Sequence, residues 1–284
     1  MSAEPHPGGP EPNHARRFAT IWLLATVIAL PLVILVLGPI LPPGNGSDVA
    51  AGQVTDNTVL LAMATPVLLL VVLYLAYAVI VFRQPRGGAL EGPAVRGDSK
   101  IQTTWIVVTS ALVLSLAVYG TVRLEQGYGA GSGSGPKPLT VPSGPKLPVQ
   151  VIAQQWAFTY RYPTYGGVET THLELPVNQM VELHVTSIDV IHSFWAYQLG
   201  VKADANPGVD NIAFFKPTRE QTFEVHCAEL CGIWHGYMYD HGHVVSRAAF
   251  EVWIRQQQRQ MAPATKVLPP YATTYSPEAT RRAG

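Results

Sequence analysis

Charge is scarce in this chain, and so is cysteine. Only 13% of its 284 residues are Asp, Glu, Lys or Arg, about half the share in an average soluble protein. Cations and anions balance to a formal net charge of zero, which argues against a nucleic-acid binder. Cysteine occurs twice, at Cys227 and Cys231, so an internal disulfide can only be that one pairing. No internal repeat is visible, which removes solenoid and propeller architectures. Lys and Arg are absent from residues 41–57.

What replaces charge is apolar length. Residues 18–40, 58–82 and 101–122 form three uncharged apolar runs. Each exceeds the roughly 20 residues a helix needs to cross the hydrocarbon core. Inside lipid each must satisfy its backbone as helix, with Pro31 and Pro66 tolerated as kinks. Arg16 and Arg17 precede the first run, and Arg83, Arg86, Arg96 and Lys100 lie between the second and third. The positive-inside rule therefore puts residues 1–17 and the second connection in the cytoplasm. Three crossings then place everything after Val122 outside, in an oxidising compartment. The alternative for residues 18–40 is a signal peptide cleaved near Val49-Ala50-Ala51. The run is longer than a usual signal core, and that site lies far beyond its end.

Beyond the third run, residues 123–147 read as a Gly/Pro-rich linker, including the flexible composition of 126–135. Residues 148–260 read as the external domain. Short β-type runs at 149–158, 172–175, 180–186, 212–215, 222–226 and 242–245 are separated by Pro, Gly, Asn and Asp, which suggests a small β-sandwich or barrel. Ser246 has the character of an N-cap, and Phe250, Trp253 and Ile254 give one apolar face to a final short helix. Residues 261–284, rich in Pro, Ala, Thr and Tyr, read as an extended tail.

Both cysteines fall in Cys227-Ala-Glu-Leu-Cys231-Gly-Ile-Trp-His235-Gly-Tyr-Met238. Thiolate, imidazole and thioether together favour copper. Two thiols, a His and a Met in twelve residues exceed what one ordinary mononuclear copper site requires. They suit two copper ions bridged by both thiolates. Such a pair needs an imidazole for each ion, and the upstream segment Asp189-Val-Ile-His192-Ser-Phe-Trp195 supplies a second one. The alternatives are a Cys227–Cys231 disulfide, or a structural zinc held by Cys227, Cys231, His235 and another His. The zinc reading leaves Met238 idle. His172, His184, His226, His241 and His243 are assigned surface or hydrogen-bonding roles.

With these residues in place, the chain resembles subunit II of a haem–copper cytochrome c oxidase. The resemblance runs from Thr58 to about Ile254, and its most specific parts are the segments Asp189–Trp195 and Cys227–Met238. It implies a membrane-anchored all-β protein, with a cupredoxin-like β-barrel holding a binuclear copper-A centre. Cys227 and Cys231 would bridge both ions, and His192 and His235 would each bind one. Met238 would bind one ion weakly and the carbonyl of Glu229 the other, with the Glu229 side chain toward a magnesium ion shared with subunit I. The segment Gln155–Tyr160 resembles the family's aromatic segment, so Trp156 would be where electrons enter; read alone, it would be a core aromatic on a strand.

The implied function is to accept electrons from cytochrome c and pass them to haem in subunit I. There oxygen would be reduced to water with proton translocation, since this chain shows no haem ligands of its own. The localisation is the plasma membrane, multi-pass, with the C-terminal domain on the outer face. Two departures stand out. Gln102 occupies a position where the family usually has Glu, which puts proton uptake beside Trp105 in doubt. Arg161 and Ile188 stand near positions where the family often carries acids, which favours a tethered haem protein over a strongly basic soluble cytochrome. The rival functions are a membrane-anchored copper-A carrier serving another terminal reductase, and a quinol-oxidase subunit, which would lack the copper ligands present here.

Overall fold

The computed structural model describes residues 13–83, 97–127, 140–267, 269 and 271. About half of the expected linker, most of the cytoplasmic segment and most of the tail lie outside the described residues. The chain divides into two units, residues 1–41 with 55–96, and residues 42–54 with 97–284.

In the first unit, helix α1 (His14–Leu32) runs on through a π turn (Val33–Leu37) and a 3-10 turn (Gly38–Ile40). Pro31 lies just before the change of pitch; its ring lacks a donor and crowds the preceding turn, so a regular ladder cannot continue. α1 packs antiparallel to α2 (Asp48–Val81). Phe18 meets Tyr74 and Tyr77 edge-on, and the Trp22 indole donates to the Pro66 carbonyl at 2.8 Å. At the far end Gly38 lies against Thr58, which a β-carbon would approach to 2.8 Å. Helix α3 (Ser99–Gln126) begins at Asp98, whose carboxylate caps the amides of Lys100 and Ile101. All three helices are long and apolar enough to cross a membrane.

α2 starts ten residues before the apolar run that announced it. Its polar opening turns are held from outside. The Ser47 hydroxyl donates to Leu199 O at 2.6 Å, the Gln53 amide donates to Gly200 O at 2.7 Å, and Asp48 and Lys216 exchange backbone-centred bonds. Ala50 and Val54 bury their side chains. Gly200, at φ +64°, sits so close that a β-carbon would lie 2.9 Å from Ala50 Cα.

The rest of the second unit is a cupredoxin-like β-domain closed by a helix. Its strands are β1 (Leu147–Gln154), β2 (Ala157–Tyr162), β3 (Val168–Thr170), β4 (Glu174–Pro176), β5 (Val181–Ser187), β6 (His192–Ala196), β7 (Val201–Ala205), β8 (Asn211–Phe215), β9 (Gln221–Cys227) and β10 (Tyr239–Val245). Two five-stranded sheets form, ordered β3-β2-β1-β5-β8 and β4-β10-β9-β6-β7. β1 with β5 and β4 with β10 pair in parallel, and the remaining neighbours are antiparallel. Alternate residues meet between the sheets: Val149, Val151, Leu183 and Val185 from the first, Phe194, Ala196, Phe223 and Val225 from the second, all fully buried. Each Val, Leu or Phe side chain among them contributes about 1.5–3 kcal/mol on burial. Helix α4 (Arg247–Gln260), capped by the Ser246 hydroxyl on Ala249 N, adds Phe250 and Ile254 beneath Tyr162.

Three details differ from the sequence reading. The run 149–158 is two strands with a turn at Gln155 and Trp156. β3, β6 and β7 form where no strand was expected. The tail opens with a helical turn, α5 (Ala262–Thr265), rather than extended chain.

Candidate metal centre

Cys227 ends β9, and the loop that follows carries Cys231, His235 and Met238 before β10 begins. The loop is closed at its base, where Cys227 N donates to Met238 O at 3.0 Å. β6 pairs with β9 so that Phe194 faces Cys227, and Ala228 N bonds Ser193 O at 2.9 Å. This register brings His192, the first residue of β6, over the Cys227 thiol. His192 therefore stands on a strand, fully buried.

The donors converge. The two sulfurs are 3.8 Å apart, far beyond the roughly 2.05 Å of a disulfide, and both thiols are free. Cys227 Sγ lies 3.8 Å from His192 Nδ1 and 3.2 Å from Glu229 O. Cys231 Sγ lies 3.6 Å from His235 Nδ1 and 3.8 Å from Met238 Sδ. Each thiol thus has one imidazole nitrogen and one weak donor. The Met238 thioether is buried against Cys231, a position a Cys/His zinc site has no need to fill. Two thiols, two imidazoles and a thioether form the soft set that fits copper. Burial, with Cys227 alongside, pushes the Cys231 thiol up to about 12. The metal-free Cys231 thiol therefore holds its proton at neutral pH and must release it on loading.

Two neighbours that sequence reasoning did not assign fix the ligands. Asp189 Oδ1 bonds His192 Nε2 at 2.9 Å, which leaves Nδ1 facing the sulfur; a carboxylate on the far nitrogen is a common way to orient a metal-binding imidazole. Partial burial opposes charge on Asp189, but the Gln155 amide, His192 and the Val190 amide outweigh it and hold the carboxyl below its usual range. The Gln155 side chain in turn donates to Cys231 O at 2.8 Å. Its signal was present in sequence as the residue before Trp156, and that of Asp189 as an acid three residues before His192.

Trp156 lies against the ligand loop. Gly232 follows Cys231 at φ +123°, and a β-carbon there would come within 3.2 Å of the Trp156 ring. The indole is half-buried, so the sequence alternatives of core and surface merge. All seven candidate residues are brought together, Glu229 through its carbonyl while the residue as a whole is exposed. Of the five remaining histidines of the domain, His172, His184, His226 and His243 each bond a carboxylate, and His241 is exposed beside the Tyr239 ring.

One inference from sequence is corrected. Arg161 does not present charge to a donor, because it is 6% exposed and its guanidinium bonds Glu169 at 2.6 Å and the Pro269 carbonyl at 3.1 Å. Exposed apolar and aromatic side chains surround the site, Leu230, Ile233, Trp234 and Tyr237 on the loop and Val190 and Ile191 beside Asp189, with Asp189 and Glu229 as exposed carboxylates among them.

Residues 169–244 match the family model described as cytochrome c oxidase subunit II, periplasmic domain. Cytochrome c oxidase subunit 2 of Thermostichus vulcanus is 28% identical over 285 residues, covering 84% of this chain and 86% of the relative. The Cereibacter sphaeroides subunit 2 is 26% identical, covering 82% and 87%. Among solved structures, the periplasmic domain of subunit II of cytochrome oxidase (CoxB) of Bradyrhizobium japonicum is 31% identical, with a TM-score of 0.41, covering 43% of this chain and 99% of that one. The donor cluster, the two-sheet domain that follows three apolar helices in the sequence, the family model and the two subunit 2 relatives agree, and the chain belongs to the cytochrome c oxidase subunit II family.

Proposed function

We propose that this chain is the electron-accepting subunit of a respiratory cytochrome c oxidase, with a binuclear copper-A centre held by His192, Cys227, Glu229 O, Cys231, His235 and Met238. The observation that carries the proposal is the paired donor set: two thiols 3.8 Å apart, each with its own imidazole and its own weak donor. When bound, two copper ions supply one-electron redox chemistry with little rearrangement. The protein's part is to hold the donors still. The paired base of the loop, the Asp189–His192 bond and the Gln155–Cys231 bond all resist movement of the ligands between oxidation states.

Electrons would arrive through Trp156 from cytochrome c or a tethered haem protein and leave toward haem in subunit I, where oxygen is reduced to water and protons are translocated. The exposed apolar side chains around the loop support a donor that docks largely by shape, with Asp189 and Glu229 adding negative charge at that surface. The exposed Glu229 carboxylate is free to serve a magnesium ion at the subunit I interface. Residues 18–40, 58–82 and 101–122 would span the plasma membrane, the first retained rather than cleaved, with 148–260 as the copper-A domain on the outer face.

The test is the full-length chain purified from its native membrane. Expected are two copper ions per chain, a paramagnetic signal of one electron shared equally between them, a haem–copper subunit in the same complex, and oxygen uptake. One zinc per chain sinks the centre. An intact copper pair without an oxygen-consuming partner selects the carrier for another reductase.

Trp156→Phe separates the aromatic's two roles. Copper content is expected to stay at two, because no ligand changes, while reduction by the donor slows by about tenfold or more, the effect of roughly 1.4 kcal/mol of added barrier. Lost copper with unaltered transfer in the loaded fraction would make Trp156 a packing residue only.

A further inference from the structure

The first unit carries a second candidate site, at the end of α1 that bears the arginines. There the two helices are fixed by ring contacts: His14 Nδ1 bonds the Tyr77 hydroxyl at 2.8 Å, and His14 and Tyr77 both pack against Phe82. Beside these rings lies an open cavity of about 570 Å³, within the range of small-ligand sites. Asn13, Arg16, Arg17 and Ile21 wall it from α1, and Tyr77 and Val81 from α2. The Asn13 carboxamide oxygen is taken by Arg16 N, and Tyr77 by His14. Among the described residues no carboxylate pairs with either arginine.

We propose that this cleft binds the headgroup of an anionic phospholipid, its phosphate held by Arg16 and Arg17. The proposal rests on the reading of α1 and α2 as membrane spans. Each guanidinium offers a fork of N–H donors matched to phosphate oxygens, and among the described residues neither has a carboxylate partner. Ile21 stands one helical turn deeper than Arg17, so the wall passes from cationic to apolar in about 6 Å. A small inorganic anion uses only the first half of that wall, whereas a phospholipid uses both. The cations also lie at one end of a helix long and apolar enough to cross a membrane, the level at which headgroups sit. Under the orientation read from the flanking charges this is the cytoplasmic leaflet, where basic pockets between helices meet anionic lipids.

The experiment uses the full-length chain in detergent micelles, read by native mass spectrometry after addition of phosphatidylglycerol, phosphatidylcholine or inorganic phosphate. Two arginines near a membrane surface predict a preference of about thirtyfold for phosphatidylglycerol over phosphatidylcholine. Arg16→Gln/Arg17→Gln is expected to abolish the preference. Those charges also help set topology, so Ile21→Trp serves as the second variant. It keeps both arginines and fills the cleft, and is expected to lose the retained lipid. Equal binding of the two lipids, a preference unchanged in both variants, or displacement of phosphatidylglycerol by stoichiometric phosphate each overturns the proposal. Alkaline extraction of the source membranes separates the two levels of failure. A chain released by it defeats the spanning reading as well, and a chain that stays embedded without lipid preference defeats the lipid site alone.

Discussion

Serine in place of Cys227 or Cys231 is expected to empty or cripple the centre and to reduce cytochrome-driven oxygen uptake to background, a loss of about a hundredfold or more. Serine matches cysteine in shape, and both cysteines are buried in a loop whose ends are tied by backbone bonds, so the fold should survive. The chemistry does not. A hydroxyl stays protonated near neutral pH and is a hard donor, whereas the proposed centre depends on soft thiolates shared between two ions. With one sulfur left, one of the two imidazoles loses the thiol beside it, because His192 and His235 lie next to different thiols at 3.8 and 3.6 Å. Copper per chain is expected to fall from two to one or none, and the shared-electron signal to vanish, while thermal unfolding of the metal-free protein moves little. Either variant that keeps two coppers and normal turnover refutes the ligand assignment.

Sequence and structure agree where local chemistry decides and part where distant partners do. The three apolar runs needed only length to be read as helices, and the spacing from Cys227 to Met238 marked the ligand loop because those donor types rarely cluster by chance. The opening turns of α2 were invisible because Asp48, Gln53 and Asp56 make them polar. Their helix is held by Leu199, Gly200 and Lys216, more than 140 residues away. The turn that divides β1 from β2 has Gln155 and Trp156 where a hairpin signal would be Gly or Asn. β7 reads Val-Lys-Ala-Asp-Ala, whose small alanines disguise a strand alternation that burial makes plain. Arg161 misled for the same reason. A charged residue near an aromatic in sequence suggests surface, and only the sheet pairing reveals that Glu169 faces it across β2 and β3.

That pairing also exposes a pH-dependent element remote from the metal ligands in sequence. Arg161, Gln150 and His184 stand side by side across β2, β1 and β5, on the face away from the core, yet each is nearly inaccessible. The chain's own C-terminal part lies over the row, with Pro269 O on Arg161 and the Tyr271 ring 5.4 Å from that of His184. His184 Nδ1 is 2.8 Å from Asp210 Oδ2, and Nε2 is 3.5 Å from Glu182 Oε1. Burial disfavours the imidazolium, but the two carboxylates outweigh it and raise its pKa to about 9. A folded pKa above the unfolded value of about 6.5 means that the contribution is complete below pH 6.5 and is lost as pH rises through 9. The displacement corresponds to roughly 3 kcal/mol. Thermal unfolding of the full-length chain should therefore hold level to about pH 6.5 and fall toward pH 10. His184→Leu should erase that alkaline fall and lower stability near neutrality by about 3–5 kcal/mol, because Asp210 is left buried without its cation. Asp210→Leu added to it should recover much of the loss, since two apolar side chains then replace a broken pair. Wild type and His184→Leu with parallel curves from pH 6 to 10 would show that the charge on His184 does not hold this face of the sheet.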